Sequence, residues 1–227
     1  MEEVLEVYAE PYAPRRPKVN FDEMSKQLIK ETRSPLPAQP GQPHREDYEY
    51  ERNGTRNLFL FIDPQAGWRH VHVTEHRTAL DFAYAMQWLV DEAYPTADVI
   101  RVILDNLNTH KIASLYEAFT PAEARRIARK LEWHYTPKHG SWLNMAEIEF
   151  SVLKRQCLDR RIPDEATLTH EIAAWEHQRN VEKATIEWQF AVTDAGLDHG
   201  IGHFRPPQSI SARAHKNKNR IRHYLVK

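Results

Sequence analysis

The segment that most constrains the fold is 99–104, a run of six mostly apolar residues rich in valine and isoleucine. The run has no alternation of apolar and polar residues, so it predicts a strand buried on both faces rather than one at the edge of a sheet. Asp105 follows directly and is expected at the carboxyl end of a central strand. Ligands gather at this rim of open sheets, although Asp105 can equally serve as a cap for residues 106–111.

The remaining patterns predict a mixed α/β sheet covered by helices rather than a regular doubly wound sheet. A strand at 19–21, a hairpin turning at 63–67 and a strand at 131–135 accompany the central strand. Helical patterns occupy 78–94, 121–130, 143–159 and 164–177.

Three carboxylates in three local settings form a candidate metal site. Asp22 ends an apolar strand pattern, Asp105 ends the buried strand, and Glu147 opens a helix. Carboxylates gathered at ~4 Å would repel by ~4 kcal/mol per pair at an effective dielectric of about 20, and a divalent cation would relieve that repulsion. Oxygen ligands suit Mg²⁺ or Mn²⁺.

Two choices between neighbouring acids stay open at this point. Glu23 follows Asp22 on the opposite side of an extended chain, so only one of them can face a shared site. Glu149 lies about 200° around the helix from Glu147, and we expect it to meet solvent. Asn144-x-x-Glu147 also fits a capping box, in which Glu147 would only return a hydrogen bond to the helix start.

Other catalytic and metal-binding classes lack their signatures. The chain has no P-loop, dinucleotide fingerprint, zinc-type cysteine spacing or Gly-x-Ser-x-Gly elbow. His70 and His72 fall at strand spacing in an alternating run, which favours histidines on an exposed face over zinc ligands.

Charge and cysteine content suggest the compartment and the domain limits. The net charge of −1 divides into −7 for residues 1–195 and +6 for residues 196–227. A basic tail can bind phosphate backbones, but a poorly ordered tail is the ordinary interpretation. The single cysteine, an acidic start and the lack of a membrane-length apolar run predict a cytoplasmic protein with no membrane partner. We expect a lead-in at 1–16, a catalytic domain at 17–195 and a disordered basic tail at 196–227.

Three motifs resemble one family when they are taken together. They are Phe-Asp-Glu at 21–23, Ile-Leu-Asp-Asn-x-x-x-His at 103–110 and Tyr-Thr-Pro-x-x-x-x-Trp-Leu-Asn-x-x-Glu at 135–147. Their order and content resemble the DDE endonuclease core of bacterial insertion-sequence transposases of the mariner superfamily. The resemblance implies an RNase H-like fold over roughly residues 1–195. Site residues follow from it: a catalytic, metal-holding triad of Asp22, Asp105 and Glu147, with Asn106, His110, Trp142 and Asn144 as candidates for active-site support.

The resemblance also implies a reaction and its partners. Two Mg²⁺ or Mn²⁺ ions would activate water against a phosphodiester at a transposon end, then activate the released 3′-hydroxyl against target DNA. Transposon-end and target DNA would be the substrates. The protein partner would be a second copy, or a transposase bearing the helix-turn-helix modules that relatives carry ahead of their first catalytic strand.

Two features depart from the family pattern. The interval of 42 positions between Asp105 and Glu147 is longer than usual, and the tail does not resemble the family's basic helical ending. The basic tail, together with the expected lack of the helix-turn-helix modules that relatives carry, motivates an alternative function, a non-catalytic truncated remnant that pairs with or regulates an intact transposase. A nuclease with the same fold that acts on RNA or junctions is a third interpretation.

Overall fold

The computed structural model describes residues 2–186, except residues 35, 44, 46 and 139. Five strands form one sheet: β1 (Lys18–Glu31), β2 (Tyr50–Asp63), β3 (Trp68–Thr74), β4 (Ile100–Leu104) and β5 (Leu131–Tyr135). Six α-helices accompany them: α1 (Glu2–Ala9), α2 (Ala79–Trp88), α3 (Ile112–Ala118), α4 (Pro121–Ala128), α5 (Met145–Leu153) and α6 (Glu165–Val181). The predicted tail at 196–227 lies outside the described residues.

The sheet is mixed, as the sequence predicts, with the strand order β3-β2-β1-β4-β5. β1, β2 and β3 pair antiparallel in a meander, whereas β4 pairs parallel to both β1 and β5. All five residues of β4 are buried, which confirms the central, doubly covered strand. β5 covers residues 131–135, the range that its apolar pattern predicts.

Helices cover both faces of the sheet. One face packs against α2, α3 and α4 through a core that includes Phe21, Phe61, Phe82 and Leu104. The opposite face packs against α5 and α6 through a second core, and α1 covers Ile103 on the β4 side of that face. Successive residues of a strand point to opposite faces of the sheet. The face to which an acidic side chain points therefore determines which helices and side chains it can contact.

Local sequence signals account for several helix starts. Thr78 and Asp81 form the predicted capping box at the start of α2, and Asp164 caps α6 by accepting from the Thr167 backbone N–H at 2.7 Å. A π-helical turn at Leu89–Ala93 continues α2 towards Pro95, and another at Lys154–Leu158 continues α5. These turns give the two helices the lengths that the periodicity predicts.

Two elements differ from expectation. β1 does not end at Asp22 but continues to Glu31, because β2 pairs with it along the whole arm. Asp22 therefore lies inside a strand, at the point where the parallel partner β4 has ended. α3 was not predicted, since it has seven residues and buries only Ser114 and Leu115, too few to show a helical period.

The predicted lead-in at 1–16 contains α1, which buries Val4, Leu5 and Val7 in a cluster with Ile103 and Leu143. This segment contacts the same sheet as the predicted catalytic domain. None of the helices in the described ranges is long and apolar enough to cross a membrane.

Candidate metal centre

The strand register places Asp22 and Asp105 side by side. β1 and β4 pair Val19 with Val102 and Asn20 with Ile103. Extending this register by two residues, just past the end of β4, places Asp22 beside Asp105. Neighbouring strands lie about 4.8 Å apart, so the two residues lie close together at the carboxyl rim of β4, and the negative charge of Asp105 acts on Asp22.

The first turn of α5 is fastened to β1 beside this pair. The Asn144 side chain accepts from the Ala146 N–H at 3.2 Å, and its Nδ2 donates to the Phe21 carbonyl at 2.8 Å. The Met145 N–H donates to Asn20 Oδ1 at 3.0 Å. These bonds hold the start of α5 against the strand that carries Asp22, so Glu147 lies close to Asp22.

The electrostatics of Asp22 show that the three acids influence one another. Burial of its carboxyl, with the negative charges of Asp105, Glu147 and Glu23, raises the pKa of Asp22 to about 7, although the Glu23 backbone N–H opposes this by donating at 2.8 Å. Burial is the larger cause, but the contributions of Asp105 and Glu147 show negative charge close to Asp22, which a bound cation would offset.

A buried histidine joins two of the acids. His110 is fully buried, with Nδ1 2.5 Å from Asp105 Oδ1 and Nε2 2.8 Å from Glu23 Oε2. Its ring stacks on Phe82 and meets Phe21 edge-on. Burial alone would lower the pKa of His110, but the hydrogen bonds to Asp105 and Glu23 outweigh it and raise the pKa to about 9. The imidazolium therefore donates to both carboxylates.

The structure separates the neighbouring acids. Glu23 points to the His110 side of β1, where its side chain is 6% exposed and lies 3.6 Å from Arg77. Asp22 points to the α5 side. The capping-box interpretation of Glu147 is not needed, because the Asn144 backbone N–H donates to the Ser141 carbonyl at 2.8 Å.

The prediction that Glu149 meets solvent is wrong. Its side chain is fully buried between Arg69 of β3 and Arg179 of α6, with closest N–O distances of 2.9 Å and 2.7 Å. Glu149 faces away from Glu147, as the helical spacing requires, but the other side of α5 is packed against two arginines instead of water. Arg69 and Arg179 are distant in sequence, so the spacing within α5 carried no signal of them.

The remaining predicted support residues occupy different settings. Asn144 is buried at the junction of α5 and β1, as described above, and Trp142 is half-buried next to the α1 cluster. Asn106 is exposed. Asn20 was not predicted; its position two residues before Asp22, on the same face of the strand, is the only signal that could have indicated it.

His70 and His72 are not on an exposed face, which corrects that expectation. Both are half-buried, and they pack around Trp88 with ring centroids 4.2 Å and 4.5 Å from it. His70 Nδ1 lies 2.9 Å from Glu176 Oε1. Burial, together with the His70 charge, lowers the pKa of His72 to about 4. These contacts indicate a packing role.

Asp105 and Glu147 lie near enough to Asp22 for their charges to raise its pKa, but the three acids are not drawn to ligand distance around one point. Within residues 2–186, with the gaps given above, no three His, Cys, Asp or Glu side chains form a group that could hold a metal ion as they stand. Asp105 is turned towards His110, and Asp22 binds a proton more strongly than an ordinary carboxyl. The donors are oxygens of the kind that Mg²⁺ and Mn²⁺ prefer, so their chemistry fits a divalent cation that would draw them together.

Residues 17–169 match the family described as DDE superfamily endonuclease. The chain belongs to this family. The matched DDE endonuclease region includes all five strands, the three candidate acids and the first residues of α6. No curated protein matches the chain.

Solved structures share the fold of this DDE endonuclease domain. A pre-cleavage Mos1 transpososome aligns with a TM-score of 0.54 and 14% identity, over 80% of this chain and 55% of that chain. The Mos1 strand transfer complex aligns at 0.53 and 14%, over 80% and 56%. A Mos1 mariner paired-end complex with Mn aligns at 0.51 and 14%, over 80% and 55%. The RNase H-like mixed sheet is thereby confirmed, and this chain spans just over half the length of those chains.

Proposed function

We propose that this chain is the catalytic core of a transposase that cuts DNA at insertion-sequence ends and joins the released ends to target DNA in the cytoplasm. The observation that supports the proposal is the proximity of Asp105 and Glu147 to Asp22, which is seen in the rise of the Asp22 pKa to about 7 caused by burial and by these neighbouring carboxylates. Membership of the DDE superfamily endonucleases supports the reaction class.

In this proposal Asp22, Asp105 and Glu147 hold the metal through carboxylate oxygens. When bound, two Mg²⁺ or Mn²⁺ ions would lower the pKa of an attacking water or 3′-hydroxyl and neutralise charge on the phosphate. His110, held by Glu23, fixes the orientation of Asp105. Asn20 and Asn144 fix the first turn of α5, and with it Glu147. Outer hydrogen bonds of this kind tune the ligands that they touch.

The proposed substrates are the transposon end and the target duplex. Support comes from the neighbours, which are described as Mos1 complexes with paired transposon ends and as a strand transfer complex. We also propose that the chain works in a paired assembly, either as a homodimer or together with a transposase that bears helix-turn-helix modules, with support from the Mos1 paired-end complex among the neighbours.

The test is a nicking assay with the purified chain on supercoiled plasmid carrying candidate ends, with and without Mg²⁺ or Mn²⁺. Metal-dependent nicking should disappear in Asp105→Asn and persist in Asp159→Asn, a matched change at an exposed position. Equal nicking by wild type and Asp105→Asn would contradict the assignment. Complete inactivity of the wild type, with retained binding to an intact transposase, would favour the remnant interpretation.

A further inference from the structure

A tyrosine outside the family match contacts the helix that carries Glu147. The side chain of Tyr8, on α1, reaches the start of α5, where its hydroxyl donates to the Leu143 carbonyl at 2.8 Å. The same hydroxyl also contacts Asn20 Oδ1 and lies within hydrogen-bonding reach of the Met145 backbone. Asn20 Oδ1 is the atom that accepts from the Met145 N–H. One phenol therefore contacts Leu143, two residues before α5 begins, the first residue of α5 and the residue on β1 that anchors it.

Burial keeps this hydroxyl in its neutral, donating form. Loss of solvent contact raises the pKa of Tyr8 far above its usual range, despite the hydrogen bonds with Met145 and Asn20 that act in the opposite direction. The hydroxyl is therefore protonated and able to donate at neutral pH.

α1 is fixed at both ends, so Tyr8 is held on a rigid support. Near its start, Glu3 Oε1 lies 2.9 Å from His134 Nδ1 on β5. Just after its end, Glu10 accepts from Lys18 through its carbonyl and from Arg101 through its carboxylate. Cations at the carboxyl end of a helix are favourable. The helix thus bridges β1, β4 and β5 beneath the start of α5.

We propose that Tyr8 is a positioning residue for Glu147, acting through Leu143, Met145 and Asn20. Glu147 lies in the first turn of α5, and Asp22 lies two residues after Asn20 on the same face of β1. The phenol therefore sets the position of both acids through one hydrogen-bonded junction. The inference rests on the proposed function, since that function makes Glu147 a metal ligand. The contacts of Tyr8 with the start of α5 do not depend on it.

The decisive variant is Tyr8→Phe, which removes one oxygen and keeps the ring that fills the α1 cluster. Two control variants isolate that oxygen. Ile127→Val in α4 removes one buried methylene group from the opposite face of the sheet, which gives a comparable loss of stability far from the acids. Tyr84→Phe makes the same chemical change at a phenol that is 56% exposed.

The first readout is Mn²⁺ affinity by calorimetry, without DNA, and the second is hydrogen exchange at the amides of Met145 and Ala146. Tyr8→Phe should weaken Mn²⁺ binding about tenfold, as loss of an outer-shell partner does, and should speed exchange at both amides. Both controls should stay within about twofold of wild type. In a nicking assay Tyr8→Phe should lower kcat about 10- to 100-fold with little change in KM, because small displacements of catalytic groups are costly.

Identical behaviour of Tyr8→Phe and Ile127→Val in both readouts would overturn the proposal and leave Tyr8 with a structural role only. Failure of the proposed function is separable: a wild type that binds Mn²⁺ but never nicks DNA refutes the function, while the Mn²⁺ comparison still decides the role of Tyr8. A wild type that binds no Mn²⁺ refutes both.

Discussion

Replacing Asp22 by Asn should stabilise the protein in the absence of metal. The folded protein holds the Asp22 proton up to a pKa of about 7, whereas an unfolded chain releases it at about 3.9. The free energy of unfolding contributed by this group therefore falls as the pH rises from about 4 to about 7. The pKa of Asp22 in the folded protein exceeds that in the unfolded chain by about three. At pH 8 this difference lowers the free energy of unfolding by about 4 kcal/mol, which is an upper bound because nearby charges can rearrange. Asparagine cannot ionise and avoids this cost.

The assay is urea unfolding at a series of pH values from 4 to 8, with EDTA present throughout. The variant should match the wild type near pH 4 and exceed it by about 2 to 4 kcal/mol at pH 8. Taking the difference at each pH removes contributions from groups that the substitution does not affect. Asp159→Asn, at an exposed position, should show no such divergence. A variant that is no more stable than the wild type at pH 8 would refute the conclusion that burial and repulsion destabilise the ionised form of Asp22.

Three further changes test other parts of the site. Glu149→Leu leaves Arg69 and Arg179 without their shared carboxylate, so urea unfolding should show a loss of about 3 to 5 kcal/mol; a loss below about 1 kcal/mol would contradict the buried ion triad. His110→Gln removes the bridge between Asp105 and Glu23, and calorimetry should show Mn²⁺ affinity reduced about 10- to 100-fold; unchanged affinity would mean that His110 does not orient Asp105. Removing divalent metal with EDTA should abolish nicking reversibly, and nicking that persists in excess EDTA would exclude the metal-dependent reaction.

The sequence predicted the parts of the fold that depend on local pattern. The 99–104 run indicated a central strand because a short, continuous apolar run rich in β-branched residues is typical of a strand covered on both faces. The start of α6 followed from Asp164 and the stripe of Leu168, Ile172 and Trp175, all three of which are buried. Both features are set by residues within one element or one helical turn.

The parts that the sequence did not predict depend on distant residues. β1 continues past Asp22 because β2 pairs with it, and its half-exposed arm has no continuous apolar run. The burial of Glu149 requires Arg69 and Arg179, which only the fold brings to α5.

The candidate site follows the same division. Motif resemblance indicated His110, but its second carboxylate partner, Glu23, became visible only when β1 and the segment after β4 were placed together. Glu23 was considered as a rival to Asp22, and it occupies a complementary place on the other face of the same strand.

The central claim is that Asp22, Asp105 and Glu147 hold divalent metal, and the most direct test is a crystal structure of the protein soaked in Mn²⁺ with anomalous data. We expect an anomalous peak coordinated by carboxylate oxygens of all three residues, with Asp105 still in contact with His110. Absence of Mn²⁺ between these acids in crystals soaked to saturation, or Mn²⁺ bound elsewhere with the three carboxylates apart, would contradict the proposed metal centre.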